Sequence, residues 1–406
     1  MKHIYYQLIL KLKTPLSVGS GNNVNSDSDV VVRKNGTPYI PATAIAGVMG
    51  HYISIEQRKN IFGYISGERS QKSKVYFYDA DLISDFSISV RDSVKLKNKV
   101  AVDGSKFDFQ IVETGAEFVT YIEVNKYNND IQETIERMIS AIASSEIRFG
   151  RKTSRGFGEV KLKSLKKKEF DLETELDLWL DFDVTDLDSW KSVSEYKISE
   201  ISTEADIIKL QLKQCGALSI RTYTTDISEE KDNMPDYKHT TLTNGIPVIP
   251  GTSWAGAFRE RFSYFSDETF TNDVFGTVKE KTNVVKKSQI IFSESVVNNY
   301  KWKTITRNSI DRFSAATKDG ALYTEQTCYN GKTELKITIP KKISEKARFI
   351  LSACIADLNN GLLSVGGLTS VGRGIFEVEK ITLNGTDKTK YLAENDIKNL
   401  LIQEKI

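Results

Sequence analysis

The chain says the same thing twice. Pro38-Tyr39-Ile40-Pro41-Ala42-Thr43-Ala44-Ile45-Ala46-Gly47 returns as Pro247-Val248-Ile249-Pro250-Gly251-Thr252-Ser253-Trp254-Ala255-Gly256, with Pro41 and Pro250 set 209 residues apart (250 − 41). The echoes continue in order: Ile61-Phe62-Gly63 with Val274-Phe275-Gly276, Val90-Arg91-Asp92-Ser93-Val94 with Thr306-Arg307-Asn308-Ser309-Ile310, and Asp103-Gly104 with Asp319-Gly320. Arg155-Gly156-Phe157-Gly158-Glu159-Val160 then pairs with Arg373-Gly374-Ile375-Phe376-Glu377-Val378, a separation of 218 (373 − 155). So slow a drift is what small loop insertions produce in a duplicated unit. A chain of 406 residues made this way predicts two domains of roughly 165 to 200 residues, each with its own core. The boundaries expected are 1–165 and 206–385, with a charged linker at 166–205 and a C-terminal tail helix at 386–406.

Within the first copy, residues 4–13 alternate as a strand does. A polar loop follows from Gly19 to Asp29, in which Val24 is the only apolar residue. Asn35-Gly36 supplies the positive φ angles of a tight hairpin turn between Val30-Val31-Val32-Arg33 and Tyr39-Ile40. Pro41 opens a helix expected to reach about Ile55, with Thr43 as its cap. Val75 to Ala80 reads as a strand, and residues 86–124 read as an extended hairpin. Ile131, Ile135, Met138, Ile139 and Ile142 keep helical spacing. A glycine-rich turn and a closing strand end the copy at Leu162. Strand, helix, strand, strand, helix, strand is the ferredoxin-like order, shared with the RNA recognition motif. The fold class expected is therefore α+β: two tandem ferredoxin-like domains, each with an inserted hairpin. The second copy repeats the plan from the strand at 207–214 to the helix at 343–359 and the glycine turn at 366–374.

No stretch approaches the 18 or so consecutive apolar residues that span a bilayer, and the N-terminus enters a strand without a cleavable apolar core. Cys215, Cys328 and Cys354 show no paired spacing, which signals neither a disulfide framework nor a zinc knuckle. A cytoplasmic location is the simple expectation, with no membrane partner. The net charge of +2 says nothing of nucleic acid by itself. Its distribution says more: basic residues gather in Lys95 to Lys99, Arg148 to Arg155 and Lys161 to Lys168, with acidic residues in Glu169 to Asp188. Such a face suits either a nucleic-acid groove or ordinary solvated charge.

Three motifs together carry a resemblance. Gly19-Ser20-Gly21, Pro38-Tyr39-Ile40-Pro41 ahead of a helix, and Gly150-Arg151-Lys152-Thr153-Ser154-Arg155-Gly156-Phe157-Gly158 resemble the RAMP superfamily of CRISPR-associated proteins, above all the Cas-seven-type backbone subunits of type III effector complexes. Two fused copies resemble the double-subunit arrangement of subtype D-like complexes. The resemblance implies guide RNA, target RNA and other effector subunits as partners, and thumb hairpins at 92–118 and 308–336. Val100, Val102 and Phe107 in one hairpin, and Phe313, Ala316 and Leu322 in the other, are candidates to wedge between bases. It also implies phosphate contacts that are independent of sequence and weaken with salt. The candidates are Gly150, Arg151, Lys152, Arg155, Arg91, Lys95 and Lys97 in the first copy, and Arg259, Arg307, Arg312 and Arg373 in the second.

The RNA-cleaving members of that family carry an aspartate on the mobile loop before the Val-Val-Arg-like strand. The loop here holds Asp27 and Asp29; its counterpart holds Asp226, Asp232 and Asp236. Counting back from the two Asn-Gly turns sets Asp27 opposite Asp236 (236 − 27 = 209), while Asp29 faces Lys238. Asp27 and Asp236 are the favoured acids and Asp29 the rival. Such a carboxylate would serve RNA cleavage by the strand's own 2′-hydroxyl, with magnesium or another divalent cation held transiently with the substrate. His239 is a possible acid or base, but the first copy has Val30 in its place. Four readings follow: a target-cleaving backbone subunit, an inert guide-holding scaffold, a guide-processing endonuclease, and an assembly protein unrelated to RNA. The repeated aspartate favours the first. The absence of a repeated histidine weighs against the third, and the glycine–arginine turns against the fourth.

Overall fold

Lys2–Leu12 is a strand buried on both faces, and that burial organises the first half of the chain. The computed structural model describes residues 2–21, 24, 26–67, 69–97, 100–125, 128–198, 204–223, 235–279, 284–394 and 396–402. The chain divides into one unit of residues 1–153 and 157–203 and another of residues 154–156 and 204–406.

In the first unit the sheet runs Val75–Phe77, Glu117–Val124, Lys2–Leu12, Val160–Asp171, and Asp81–Leu82 also pairs with Glu117–Val124. Leu8 faces Thr120 on one side and Leu165 on the other, both antiparallel. Ile4, Tyr6, Leu8 and Leu10 pack with Ile131, Ile135, Met138, Ile139 and Ile142 of the Asn129–Ala143 helix. Burying each such side chain stabilises the fold by about 1.5–3 kcal/mol. The Asn128 side chain accepts the Ile131 N–H and starts that helix.

The helix after Pro41 spans Ala42–Tyr52 and carries no side-chain cap of its own. The expected Thr43 cap is absent because a distant residue does the work: Asp79 Oδ1 accepts the Ala42 N–H at 2.7 Å. A second helix, Ile55–Phe62, starts at a Ser54–Gln57 capping box.

The stretch expected to be a linker is part of this unit. Residues 166–171 complete the Val160–Asp171 strand. Phe170 of that strand, with Trp179, Phe182 and Trp190 beyond it, closes over Tyr5, Val119 and Tyr121 on the second face of the sheet. Trp179 Nε1 donates to the Tyr5 hydroxyl at 2.8 Å, and the Trp190 and Tyr121 rings stack at 5.9 Å. These aromatics follow no period and sit among acids, so sequence pattern alone hides them.

The second unit repeats the placement. Its sheet runs Val248–Ile249, Ser295–Asn298, Lys332–Pro340, Ala205–Cys215, Ile375–Leu383, Thr386–Asp387, with Ile291–Phe292 also on Lys332–Pro340. The central strand breaks register between Gln211 and Leu212, as the first does between Ile9 and Leu10. Helices Gly251–Ser263, Glu268–Phe275 and Glu345–Asn359 supply Trp254, Phe258, Phe262, Val274 and Ile355 to one core.

The expected tail helix is instead a short Lys390–Ala393 helix and a turn at Ile397–Asn399. Tyr391, Ile397, Leu400 and Leu401 are buried in the same core. Each unit also carries a hairpin, Ile88–Lys97 with Val100–Val112 in the first and Lys301–Arg307 with Tyr323–Tyr329 in the second. No helix among the described residues is long and apolar enough to cross a membrane.

Candidate nucleic-acid interface

Backbone shape fixes the glycine turns. Gly158 (φ +73°) lies so close to Phe149 that a Cβ would collide with its carbonyl, and Gly374 (φ +71°) stands in the same relation to Val365. The Phe149 N–H donates to Gly158 O and the Val365 N–H to Gly374 O, each at 2.9 Å. Lys152 and Leu368 both take left-handed φ, +57° and +56°. A 3-10 turn follows in each, Thr153–Arg155 and Thr369–Val371. These pairs are all 216 residues apart (374 − 158; 368 − 152). Arg155 therefore corresponds to Val371, and Phe157 to Arg373. The sequence pairing of Arg155 with Arg373 is two residues out, because glycine recurs at every second position and the slipped alignment still sets Gly156 against a glycine, Gly374.

The corrected register exposes a substitution in pairs. Phe109 and Phe157 pack edge to face at 5.8 Å, with Lys152 Nζ 2.7 Å from the Phe109 ring centre. The corresponding residues 216 further on are Glu325 and Arg373. Arg373 Nη1 donates to Glu325 Oε2 at 2.6 Å, and both residues are buried. Glu325 also accepts from Ser219 Oγ and from Arg221 Nε at 3.2 Å. Burial pushes its carboxyl up, yet the hydrogen bonds from Ser219, Arg221 and Arg373 outweigh that and hold it below its ordinary value.

The two favoured aspartates are exposed and are fastened alike. The Asp108 N–H donates to Asp27 Oδ2 at 3.0 Å, and the Asp27 N–H donates back to Asp108 Oδ1 at 2.8 Å. In the second unit the Thr324 N–H and Oγ1–H donate to Asp236 Oδ2 at 2.6 and 3.1 Å, and the Asp236 N–H donates to Thr324 Oγ1 at 3.1 Å. Asp108 and Thr324 are again 216 residues apart, on the return strand of each hairpin. The Thr324 backbone N–H, then its hydroxyl, holds the Asp236 carboxyl below the usual carboxylate range. Asp29 is different: it is buried and knits its own loop, accepting from the Val24 N–H and Ser26 Oγ, each at 2.9 Å. Asp226 and Asp232 lie outside the described residues.

The cationic candidates separate by exposure. Arg151 and Arg155 are exposed, Lys152 is half-buried, Arg312 is exposed and Arg307 half-buried. Arg91 is buried, as is Arg148 beneath the first turn, where Arg148 Nη2 lies 2.9 Å from Glu159 Oε2. Arg259 donates to Gly276 O at 2.8 Å and to Asn272 Oδ1, closing the end of the Glu268–Phe275 helix. Burial lowers its pKa. Lys95 and Lys97 lie on the Ile88–Lys97 strand, and their side chains, like that of Val100, are outside what is described. Phe313 is 97% exposed near the end of the second hairpin, Leu322 is exposed, and Phe107 packs 6.1 Å from Phe109.

His239 is structural. Its Nδ1 accepts the Ile220 N–H at 3.1 Å, Nε2 lies 3.1 Å from Val248 O, and burial pulls its pKa down to about 4. Arg221, Asp108, Thr324 and Glu325 escaped the sequence reading. Arg221 would have been found had the central strands been aligned at their own separation of 202 (212 − 10), set by the shared bulge. Among the described residues no three His, Cys, Asp or Glu converge as a metal cage.

Among solved structures the chain is similar to one chain of the "Cryo-EM structure of the Type III-B Cmr-beta bound to cognate target RNA". Identity is 16% and the TM-score 0.34, over 44% of this chain and 61% of that one, so the match spans less than two thirds of that chain's length. No curated protein matches the sequence. The RAMP superfamily model matches residues 9–161 and again 201–377, one match to each half. With both turns, both hairpins and most of its length inside those matches, the chain belongs to the RAMP superfamily.

Proposed function

We propose that this chain is a backbone subunit of a type III CRISPR RNA-guided effector complex. Each repeat holds guide RNA and cuts the paired target RNA beside its loop aspartate, Asp27 in the first and Asp236 in the second. The observation that carries this reading is the matched fastening of those two aspartates to equivalent residues of the two hairpins. Superfamily membership of both halves supports the RNA partners. The strand order of each sheet supports a tandem ferredoxin-like description, with the hairpins as thumbs.

Each carboxylate spends Oδ2 on a hydrogen bond from the hairpin and is exposed to solvent. It can therefore sit against a target 2′-hydroxyl and orient it toward the adjacent phosphorus. That oxygen loses its proton as it attacks, the P–O5′ bond breaks, and the departing 5′-oxygen takes a proton from solvent, leaving a 2′,3′-cyclic phosphate and a 5′-hydroxyl. On this reading phosphate contacts fall to the exposed Arg151 and Arg155 in the first repeat and to Arg307 and Arg312 in the second; the Lys152 ammonium, expected to join them, is instead buried over the Phe109 ring. A single exposed carboxylate fits magnesium, which is commonly held by one or two carboxylates and substrate oxygens. Such an ion would supply charge stabilisation at the phosphate.

The same fastening favours a second reading, in which the aspartates only anchor the loop and the subunit is an inert scaffold. Asp27→Asn and Asp236→Asn keep an oxygen acceptor for the hairpin N–H and remove the charge. In the guide-loaded assembly with end-labelled target and magnesium, each substitution should abolish one fragment and leave the other. Unchanged fragments in the double variant, or no fragments from the wild type, would establish the scaffold.

A further inference from the structure

Gly19 and Arg221 occupy the same place. Gly19 bridges to Val30, and Arg221 pairs with His239, while Val30 and His239 are 209 apart and each follows its loop. Just before them, Ser17 O accepts the Arg151 N–H at 2.7 Å, and Ser219 O accepts the Gly367 N–H at 2.8 Å. Arg151 and Gly367 are the 216-residue equivalents. The first repeat therefore carries glycine then arginine, and the second carries arginine then glycine.

The guanidinium of Arg151 lies where a Cβ of residue 19 would be, so the first repeat has room for only one of the two arginines. Its Nη1 donates to Ser28 Oγ at 2.8 Å. Arg221, arriving from the Arg221–Tyr223 strand and not from the glycine turn, sets its guanidinium 4.3 Å from the Tyr237 ring centre and donates to Glu325. Ser28 directly follows Asp27, and Tyr237 directly follows Asp236. The glycine turn in one repeat and the Arg221–Tyr223 strand in the other thus deliver a guanidinium to the residue next to each loop aspartate.

We infer that Arg151 and Arg221 are matched positioning residues, each fixing the residue after the loop aspartate and so the aim of the carboxylate. The inference rests on the reading of Asp27 and Asp236 given above. A guanidinium is suited to the task because its planar fork hydrogen-bonds and stacks at once. An apolar anchor is not an option in a loop this polar.

The test transplants the arginine. Neither Gly19 nor Gly367 takes a positive φ; Gly367 has room for a Cβ as it stands, and Gly19 has it once the Arg151 side chain is removed. The variants are Arg151→Gly, Arg221→Lys, and the exchanged pairs Gly19→Arg with Arg151→Gly and Arg221→Gly with Gly367→Arg. Arg221→Lys keeps a charge for Glu325 while removing the planar fork, which guards against simple unfolding. Two quantities are read: hydrogen exchange in peptides 26–31 and 235–240, and kcat for each target fragment.

Arg151→Gly should speed exchange at 26–31 by about tenfold and lower kcat for the first fragment only. The second fragment should stay at its wild-type value, and Gly19→Arg should restore both lost quantities. Unchanged exchange in Arg151→Gly, or a folded exchanged pair that restores nothing, overturns the inference. If the wild type does not cut, the functional reading fails, and the exchange data alone still decide whether these arginines set the loop.

Discussion

Replacing Arg373 by alanine leaves Glu325 charged at a position with no solvent exposure, with only Ser219 and Arg221 to answer it. Removing one member of a buried ion pair costs about 3–5 kcal/mol, because the survivor keeps its desolvation penalty without its partner. The first repeat shows another way to fill the same space: Phe109 against Phe157. Glu325→Phe with Arg373→Phe should therefore cost nothing or stabilise by about 1–4 kcal/mol, as buried ion pairs replaced by packed apolar side chains often do. Arg373 Nη2 is buried with no hydrogen-bond acceptor among the described residues, so the native pair is not fully satisfied. Two units in one chain make a single global transition unsafe to interpret. The measurement is therefore native-state hydrogen exchange at Leu210, on the central strand of the second sheet, as urea is raised. The single variant should lower its opening free energy by several kcal/mol and the double should not. A double variant as unstable as the single would refute the argument and show that the charges are needed there.

Three further outcomes are expected. His239 is neutral in the fold with a pKa near 4, whereas unfolded histidine titrates near 6.5. The unfolded chain then binds the extra proton between those values, so stability falls as pH drops from about 6.5 to 4, by on the order of 3 kcal/mol. His239→Gln should flatten that slope in acid titrations followed by exchange in the second unit. Thr324→Val removes the hydroxyl that donates to Asp236 and raises its pKa, so the acid limb of the Asp236-dependent fragment should move to higher pH while the other fragment's limb stays. Gly374→Ala sets a Cβ against the Val365 carbonyl at φ +71°; strain of about 1–3 kcal/mol plus the collision should appear as a lowered opening free energy in native-state hydrogen exchange of the second unit.

The sequence's own repetition made the two-unit plan, the central strands, the Asn129–Ala143 helix and the Asn-Gly hairpin readable, because each rests on local periodicity or turn chemistry. The Asp27–Asp236 correspondence was readable too, since it depends only on distance from the Asn-Gly turns. What escaped was set by partners far along the chain. Asp79 caps a helix 37 residues away, and Trp179 and Trp190 cover a sheet face from among acidic residues. Arg373 looked like a phosphate ligand until its carboxylate partner on the hairpin was visible. Alternating glycines left the turn's alignment two residues ambiguous, and that ambiguity hid both the aromatic-for-ionic exchange and the arginine exchange.

Those exchanges constrain how the gene can change. Tandem copies tend to homogenise by recombination, but a crossover placing Gly19 with Gly367 leaves a repeat with no guanidinium. The reciprocal product joins Arg221 with Arg151 and forces two into one space. A crossover between the hairpin and the glycine turn likewise mates Phe109 with Arg373, burying a charge with no opposite, or Glu325 with Phe157, leaving that carboxylate only Arg221 and Ser219. Exchange between the halves is therefore opposed by misfit at both places, which favours their independent divergence.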